Sequence, residues 1–232
     1  MRRRPWPRVL VRVASLLALL AVTATLAAAL QIREIRVTGT RRFPARAVEE
    51  TLQGALGTPT VAARPEALRA AVRALPWIAD AQVRVSLDGV VACTVVERTP
   101  VAIASDGGRT TLVDAEGRLL GPPGSQALTL TLEGFAPFPE ERATLLAARA
   151  ALEQAWANPL TVARRRGPHD VELLFAGAPC PVLADPAQPA NLGDARRLLP
   201  AWIADTGGPP LRLDARVAGR IAVLPAPPQE VS

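Results

Sequence analysis

The hydrophobic pattern begins with an uncharged apolar run, VASLLALLAVTATLAAAL, which extends from Val13 to Leu30. As a helix with a rise of about 1.5 Å per residue, this run would be about 27 Å long, close to the hydrocarbon thickness of a bilayer. Arginines at positions 2, 3, 4, 8 and 12 precede it, and no acidic residue lies among them. The pattern predicts one transmembrane helix over residues 13–30 behind a cytoplasmic basic tail over residues 1–12, with the remaining chain outside the cytoplasm.

A cleavable signal peptide is the alternative interpretation of the same run. The basic start fits a signal peptide, and the small residues Ala27, Ala28 and Ala29 can form a cleavage site. The apolar stretch is longer than the usual hydrophobic region of a signal peptide, which favours a retained helix. Both alternatives place the body of the protein outside the cytoplasm.

Strand and helix periodicities alternate in the segment that follows. Ile35 and Val37 alternate with polar residues, as in a half-buried strand. Two predicted helices begin near Pro44 and Pro65. Their apolar faces are Val48, Leu52 and Leu56 in the first helix, and Leu68, Val72 and Leu75 in the second. Two further strands, the first carrying Ala81, Val83, Val85 and Leu87 on its apolar face, complete the order β-α-α-β-β.

The hairpin between these last two strands has two possible registers. A two-residue turn at Asp88 and Gly89 would direct Val90, Ala92, Thr94 and Val96 inward. A three-residue loop from Asp88 to Val90 would instead direct Val91, Cys93 and Val95 inward. The second register buries the larger and less polar set, so we favour it, and Cys93 is then a small core residue.

Four sequence elements occur in order around this unit. They are Leu75-Pro76-Trp77-Ile78, Ala81-x-Val83, Val95-x-Glu97-Arg98-x-Pro100 and Leu112-Val113-Asp114-x-x-Gly117. Behind a basic tail and one apolar helix, this series resembles the bacterial cell-division protein family FtsQ, also called DivIB. The resemblance implies a POTRA domain at residues 31–99, followed by the β domain of the family at residues 100–225.

Short strands and two helices are predicted for the second unit. A helix from Pro139 to Ala157 carries Leu145, Ala148, Leu152 and Trp156 on one side. A later helix from Asp194 to Ala204 is expected to bury Leu198, Leu199, Trp202 and Ile203. The fold class expected for the whole chain is α+β, in which this unit is β-rich with an antiparallel sheet and the two helices. The Pro-rich residues 226–232 are expected to form a mobile tail.

Composition and charge exclude several classes of function. The net charge is +6, but the arginines are spread along the chain and not gathered with aromatics, so nucleic acid is not an expected partner. One histidine, His169, and two distant cysteines, Cys93 and Cys180, do not make a metal site. The two cysteines are expected to be buried free thiols, with a disulfide as the alternative. No catalytic constellation, cofactor motif or phosphate loop is present, so we expect no enzyme and no small-molecule substrate.

The closing run LRLDARVAGRIAVLP offers a terminal strand, Gly219 to Leu224, that can accept a partner strand if it lies at the sheet border. The family resemblance implies that these strands bind FtsB, itself paired with FtsL. It also carries an Ala-Arg-Arg pattern to Ala163, Arg164 and Arg165, and an Asp-x-Arg pattern to Asp214 and Arg216. We expect Arg164 or Arg165, together with Arg216, to pair with acidic residues of the partner. The expected partner-binding residues are Arg164, Arg165, Arg216, Val217, Gly219, Arg220, Ile221, Ala222, Val223 and Leu224.

Three functions follow as alternatives. The first is a divisome scaffold in the cytoplasmic membrane that binds and links division proteins at the septum. The second is a POTRA-bearing module that transports or chaperones polypeptides, although no succession of amphipathic barrel strands follows the unit. The third is a secreted enzyme released by signal cleavage. Diffuse membrane localisation would contradict the first alternative, and a soluble product starting near Leu30 would support the third.

Overall fold

The computed structural model describes residues 6–124 and 127–227, and the chain divides into two compact units between Arg98 and Thr99. Residues 1–5 of the predicted basic tail and residues 228–232 of the predicted C-terminal tail lie outside the described residues. Each unit has its own hydrophobic core.

The first element is a helix, α1, which extends from Trp6 to Ala29. The large apolar side chains described in it are exposed, among them Leu16 at 60% and Leu19 at 61%. In the part of the chain that the structure describes, no helix is both long enough and apolar enough to cross a membrane.

The remainder of the first unit has the predicted order of elements. They are β1 (Glu34–Thr38), α2 (Ala45–Leu52), a 3-10 turn (Gln53–Ala55), α3 (Pro65–Arg73), β2 (Ile78–Val85) and β3 (Val90–Glu97). The sheet order is β1-β3-β2, in which β1 is parallel to β3 and β2 is antiparallel to it. Val48 and Leu52 of α2 and Val72 of α3 are fully buried against the sheet.

The residues predicted on the apolar faces of this unit are buried or partly buried, with two exceptions. Helix α2 ends at Leu52, and the 3-10 turn rotates the chain so that Ala55 is buried and Leu56 is 43% exposed. Leu87 was expected on the inner face of the second strand, but it lies in the turn beyond β2 and is 69% exposed. A turn residue does not follow the period-two alternation of a strand, which is why the pattern misplaced it.

The β2–β3 hairpin directs the preferred set of residues inward. Val91, Cys93 and Val95 are buried, with exposed fractions of 0%, 1% and 3%. The pairing of Val85 with Val91 and the bond from Ser86 N to Val90 O place the three-residue loop at residues 87–89, one residue earlier than expected. Gly89 adopts φ +87°, a left-handed conformation that suits glycine in such a loop.

Glu97, from the motif Val95-x-Glu97-Arg98-x-Pro100, closes the loop that precedes α2. Its Oε1 accepts the backbone N–H groups of Arg41, Arg42 and Phe43 at 2.7, 3.0 and 2.9 Å. Desolvation by burial raises the pKa of Glu97, but these N–H donors and the charge of Arg42 together lower it below its usual value. The motif glutamate therefore joins the end of β3 to the start of α2.

The second unit contains nine strands and two helices within the described residues. The strands are β4 (Pro100–Asp106), β5 (Arg109–Asp114), β6 (Leu119–Gly121), β7 (Thr131–Glu133), β8 (Leu160–Arg165), β9 (Val171–Phe175), β10 (Val182–Ala184), β11 (Arg212–Asp214) and β12 (Ala222–Leu224). The helices are α4 (Pro139–Trp156) and α5 (Ala190–Thr206).

The sheet of this unit is mixed, so the expectation of an antiparallel sheet was wrong. The order is β12-β11-β10-β9-β8-β7-β4-β5-β6, and the pairs β4/β7, β7/β8 and β10/β11 are parallel. Parallel neighbours need a crossover connection, and α4 and α5 provide the crossovers from β7 to β8 and from β10 to β11. Both helices pack into one core with the sheet, through Leu145 and Leu152 of α4 and Leu192 and Leu199 of α5.

Helix α5 begins four residues before the predicted start, at Ala190 and not at Asp194. Its buried residues are Asn191, Leu192, Ala195 and Leu199. Leu198, which was expected in the core, is 38% exposed, and Trp202 and Ile203 are only partly buried. The longer helix presents a different face to the sheet, because its contact begins at Asn191 and not at the predicted apolar cluster.

A buried arginine on α4, Arg142, bonds the turn that ends the motif Leu112-Val113-Asp114-x-x-Gly117. Arg142 is 3% exposed and donates to the carbonyls of Gly117, Phe135 and Ala136 at 2.7, 2.7 and 2.6 Å. Desolvation lowers the pKa of Arg142, and the nearby charge of Asp114 opposes this effect. Gly117 has φ +80°, and a Cβ at this position would lie 2.9 Å from the backbone N of Ala143. The motif turn therefore packs directly on α4.

Candidate partner-binding edge

Strand β12 lies at one border of the sheet, which was the condition for the predicted strand addition, and β11 is its one neighbour among the described strands. Leu224 accepts a hydrogen bond from the backbone N–H of Leu211 at 2.9 Å, so the Leu224 carbonyl faces β11. In an antiparallel pair, successive residues direct their backbone groups to opposite sides. The N–H and C=O of Val223 therefore face away from β11, where a further strand can pair with them.

The side chains of this edge divide between two faces. Ile221 and Val223 pack against the core, whereas Ala222 and Leu224 are exposed on the other face. Leu224 is 45% exposed, and Leu211, whose N–H it accepts, is 54% exposed. Val217, in the turn between β11 and β12, is 60% exposed. The border strand therefore has an apolar margin that no described residue covers.

Arg216 joins three elements next to this edge. Its Nε and Nη2 donate to Asp214 at 2.9 and 2.6 Å, and its Nη1 donates to Asp170, in the β8–β9 turn, at 2.8 Å. The hydrogen bonds to Asp214 and then Asp170 raise the pKa of Arg216 above its usual value. A guanidinium has five N–H donors, so three bonds within the chain leave two for a partner.

Asn191 holds the turn between β11 and β12, and the sequence did not single it out. Its Nδ2 donates to the carbonyls of Ala215 and Val217 at 3.1 and 2.5 Å, and its Oδ1 accepts the N–H of Gly219 at 3.2 Å. Asn191 is 8% exposed. The predicted helix start at Asp194 left this residue in a loop, so the pattern contained no signal for a buried amide at the start of α5.

The predicted terminal strand began at Gly219, but β12 begins at Ala222, so Gly219, Arg220 and Ile221 lie in this turn instead. Gly219 adopts φ +71°, a left-handed conformation that suits glycine. Arg220 is exposed, and its backbone N–H donates to the carbonyl of Val217 at 3.1 Å. Residues 215–221 thus form a tight connection that returns the chain to the sheet border.

The two predicted arginines of β8 lie on opposite faces of the sheet. Arg164 donates to Glu133 at 2.6 Å and to Glu172 at 3.1 Å. Arg165 forms a two-bond ion pair with Glu141, at the start of α4, at 2.6 and 2.9 Å. Arg165 also lies over the ring of Phe138, 3.5 Å from its centroid. Each arginine that was expected to meet a partner's acid already has an acidic partner within the chain.

Arg164 belongs to a cross-strand row on the face opposite the helices. The row consists of Glu133, Arg164, Glu172, Leu183, Asp214 and Ala222, paired in register across six strands. Glu172 is 6% exposed and also accepts from Arg166 at 2.8 Å. Desolvation raises the pKa of Glu172, but Arg166 and Arg164 together lower it. The row places Arg164 on the same face as Asp214 and Arg216, whereas Arg165 is on the helix side.

The other candidate groups have ordinary structural environments. The imidazole of His169 is 82% exposed. Cys93 and Cys180 are buried free thiols in different units, and desolvation raises the pKa of both. Within residues 6–124 and 127–227, no group of histidine, cysteine, aspartate or glutamate side chains is arranged to hold a metal ion.

Comparisons with known proteins found a family model and solved structures to which parts of the chain are similar. The family model for the POTRA domain, FtsQ-type, matches residues 30–98, and no curated protein matches the chain. Among solved structures, the chain is similar to the major extracytoplasmic domain of the trans isomer of the cell division protein DivIB from Geobacillus stearothermophilus. That likeness has 20% identity and a TM-score of 0.32, and it covers 48% of this chain and 95% of the other. The match of the family model identifies residues 30–98 as a POTRA domain of the FtsQ type, which confirms the resemblance to the FtsQ/DivIB family over those residues.

Proposed function

We propose that this chain is a cell-division scaffold, anchored once in the cytoplasmic membrane, which binds and links other division proteins at the septum without catalysing a reaction. Residues 1–12 are the cytoplasmic tail and residues 13–30 the anchor in this proposal. Residues 31–99 and 100–225 are two extracytoplasmic domains, and residues 226–232 are a tail. The FtsQ-type POTRA domain supports a role in division, and the basic start and uncharged run support the anchor.

The observation that carries the binding mode is the free edge of β12. Val223 directs its N–H and C=O away from β11, where no other described strand lies, and the exposed side chains of Leu224 and Leu211 provide an apolar margin next to it. Backbone groups of this kind accept an added strand, while the side chains next to them select the partner. We infer that FtsB, paired with FtsL, is that partner and adds a strand here.

Arg216 and Arg164 contribute to this binding through their remaining donors. Their ion pairs with Asp214, Asp170, Glu133 and Glu172 hold the guanidinium groups in place. An acidic partner residue meets an arginine that is already oriented, which reduces the entropy lost on binding. Arg165 does not contact the partner directly in this proposal, because Glu141 holds its guanidinium on the helix side of the sheet.

Substitution of Val223 tests the strand addition. Val223→Pro removes the outward N–H and should abolish capture of FtsB in a pull-down, because proline cannot donate to an added strand. Val223→Ala keeps the N–H and reduces only the side chain, so it should retain capture. Equal capture by both variants would contradict strand addition at β12.

Two further measurements separate the parts of the proposal. Arg216→Glu should weaken FtsB capture by charge repulsion, and full capture would exclude the ion-pair contribution while leaving strand addition intact.

A fluorescent fusion of the full chain should gather at the septum. Diffuse membrane fluorescence in dividing cells would contradict the division role.

A further inference from the structure

The POTRA domain exposes four large apolar side chains among the described residues that follow α1. They are Leu56 at 43%, Val61 at 76%, Leu87 at 69% and Val96 at 58%. Single exposed apolar residues are common on protein surfaces and need no explanation. Three of these four residues, however, lie at one end of the domain.

Backbone hydrogen bonds fix where that end is. Gly57 donates to the carbonyl of Ile32 at 2.9 Å, and Thr60 donates to the carbonyl of Leu30 at 2.7 Å. Arg33 donates to the carbonyl of Gly89 at 2.8 Å. Leu56 and Val61 are therefore next to residues bonded to the segment 30–33, and Leu87 is two residues from one.

The turn that carries Leu87 is held close to this segment. A Cβ on Gly89 would collide with the carbonyl oxygen of Gln31, so the hairpin turn packs directly on the chain as it leaves α1. We call Leu56, Val61 and Leu87 the apolar collar. The collar residues come from the two loops bonded to residues 30–33, a segment that begins with Leu30, the last residue of the uncharged run.

The fourth exposed residue lies at the opposite end. Val96 is six positions beyond Val90 in β3, which separates it from the collar end of that strand by about 20 Å at about 3.3 Å per residue. Next to Val96 is Glu97, which binds the loop at residues 41–43. Val96 therefore matches the collar residues in exposure but not in position.

We propose that the apolar collar seats in the outer leaflet of the bilayer, at the boundary between headgroups and acyl chains. This inference rests on the proposed anchor. If Leu30 is at the end of a membrane-spanning run, Val61 lies within about 10 Å of it, because one hydrogen bond and one or two Cα steps of 3.8 Å connect them. Apolar side chains at that depth leave water, and the domain is then held against the membrane by two loops as well as by its linker.

A depth measurement on the full chain tests the collar. Single variants Val61→Cys, Leu87→Cys and Val96→Cys are labelled with an environment-sensitive fluorophore and reconstituted in vesicles of phosphatidylcholine and phosphatidylglycerol in equal amounts. The native thiols are buried, and the unsubstituted chain labelled in parallel provides the background. Quenching by lipids that carry a nitroxide near the headgroup then reports the depth of each label.

The expected result is a blue-shifted and strongly quenched label at positions 61 and 87, and a water-like, unquenched label at position 96. Labels at 61 and 87 that behave like the label at 96 would overturn the collar. A label on α1, at Leu19→Cys, distinguishes a failure of the collar from a failure of the membrane anchor. Quenching at 19 by lipids with a nitroxide on the acyl chain, without quenching at 61 and 87 by the headgroup nitroxide, leaves the anchor intact and removes the collar. A chain that does not float with the vesicles removes both.

Discussion

The side-chain amide of Asn191, at the start of α5, donates a hydrogen bond of 3.1 Å to the backbone carbonyl of Ala215, just beyond β11. With its bonds to Val217 and Gly219, this amide connects the helix side of the sheet to the turn that leads into β12. The shape of the proposed binding edge therefore depends on a residue that does not lie in it.

We expect Asn191→Leu to destabilise the second unit by about 2 kcal/mol, because three buried or half-buried backbone groups lose their partner. Hydrogen exchange of the β12 amides should accelerate more than that of the central strands. Asn158→Leu is the matched control, since Asn158 is exposed, and should change stability by less than about 0.5 kcal/mol. Unchanged exchange in β12 would show that Asn191 does not position the edge.

Glu97→Gln should destabilise the POTRA domain by about 2 kcal/mol near neutral pH, since the carboxylate loses charge-assisted bonds to backbone N–H groups. Equilibrium urea unfolding measures this change. Glu50→Gln, which alters an exposed i,i+4 pair with Arg46, is the control and should have little effect.

The same carboxylate makes the stability of this domain sensitive to acid. The pKa of Glu97 is lower in the folded chain than its usual value, so its stabilisation is present above the unfolded pKa of about 4.3 and is lost as the pH falls through the folded pKa. The urea midpoint of the unsubstituted domain should fall more steeply toward about pH 3 than that of Glu97→Gln. Parallel pH profiles would contradict this role of Glu97.

Alanine substitutions at two glycines separate the cost of a steric collision with α4 from the cost of left-handed backbone strain. Gly117 and Gly108 both have φ +80°, but a Cβ at Gly108 meets nothing within 4 Å, whereas a Cβ at Gly117 meets the backbone of Ala143. Both alanine variants carry the left-handed strain, of about 1 kcal/mol, and Gly117→Ala should cost a further 1–3 kcal/mol or so from the collision with α4. Equal losses of stability in the two variants would mean that the motif turn can move away from α4.

Arg142→Met should destabilise the second unit by about 3 kcal/mol. The substitution fills a similar volume but leaves the carbonyls of Gly117, Phe135 and Ala136 without their donor. Thermal unfolding measures the change, and Arg197→Met, at a side chain that is 81% exposed, should be close to neutral. A small effect at both positions would show that water replaces the guanidinium.

Much of the local structure could be predicted from residue periodicity. The inward set Val91, Cys93 and Val95 followed from choosing the register that buries the larger apolar residues, and the structure confirms it. This choice depended on properties of neighbouring residues, which the sequence displays directly. The border position of the last strand was instead a condition of the predicted strand addition, which the sequence could not supply and which β12 meets.

Long-range pairing could not be predicted in the same way. Arg164 meets Glu133 and Glu172, on two other strands, and periodicity carries no information on which charges face each other across a sheet. The parallel pairs were missed for a related reason, because periodicity does not show that the two helices are crossovers between parallel strands. Asn191 was missed because the helix start was placed three residues beyond it.

The burial of the two free cysteines in separate units has a kinetic consequence. Cys93 and Cys180 are 1% and 2% exposed, and burial also raises the pKa of each thiol, so the native chain offers little thiolate to an oxidant. In the proposed topology, a newly exported chain passes through an oxidising compartment with both thiols accessible until the two cores close. Folding and oxidation would then compete, and slow-folding variants of either unit should accumulate a covalent cross-link that rapid folding avoids.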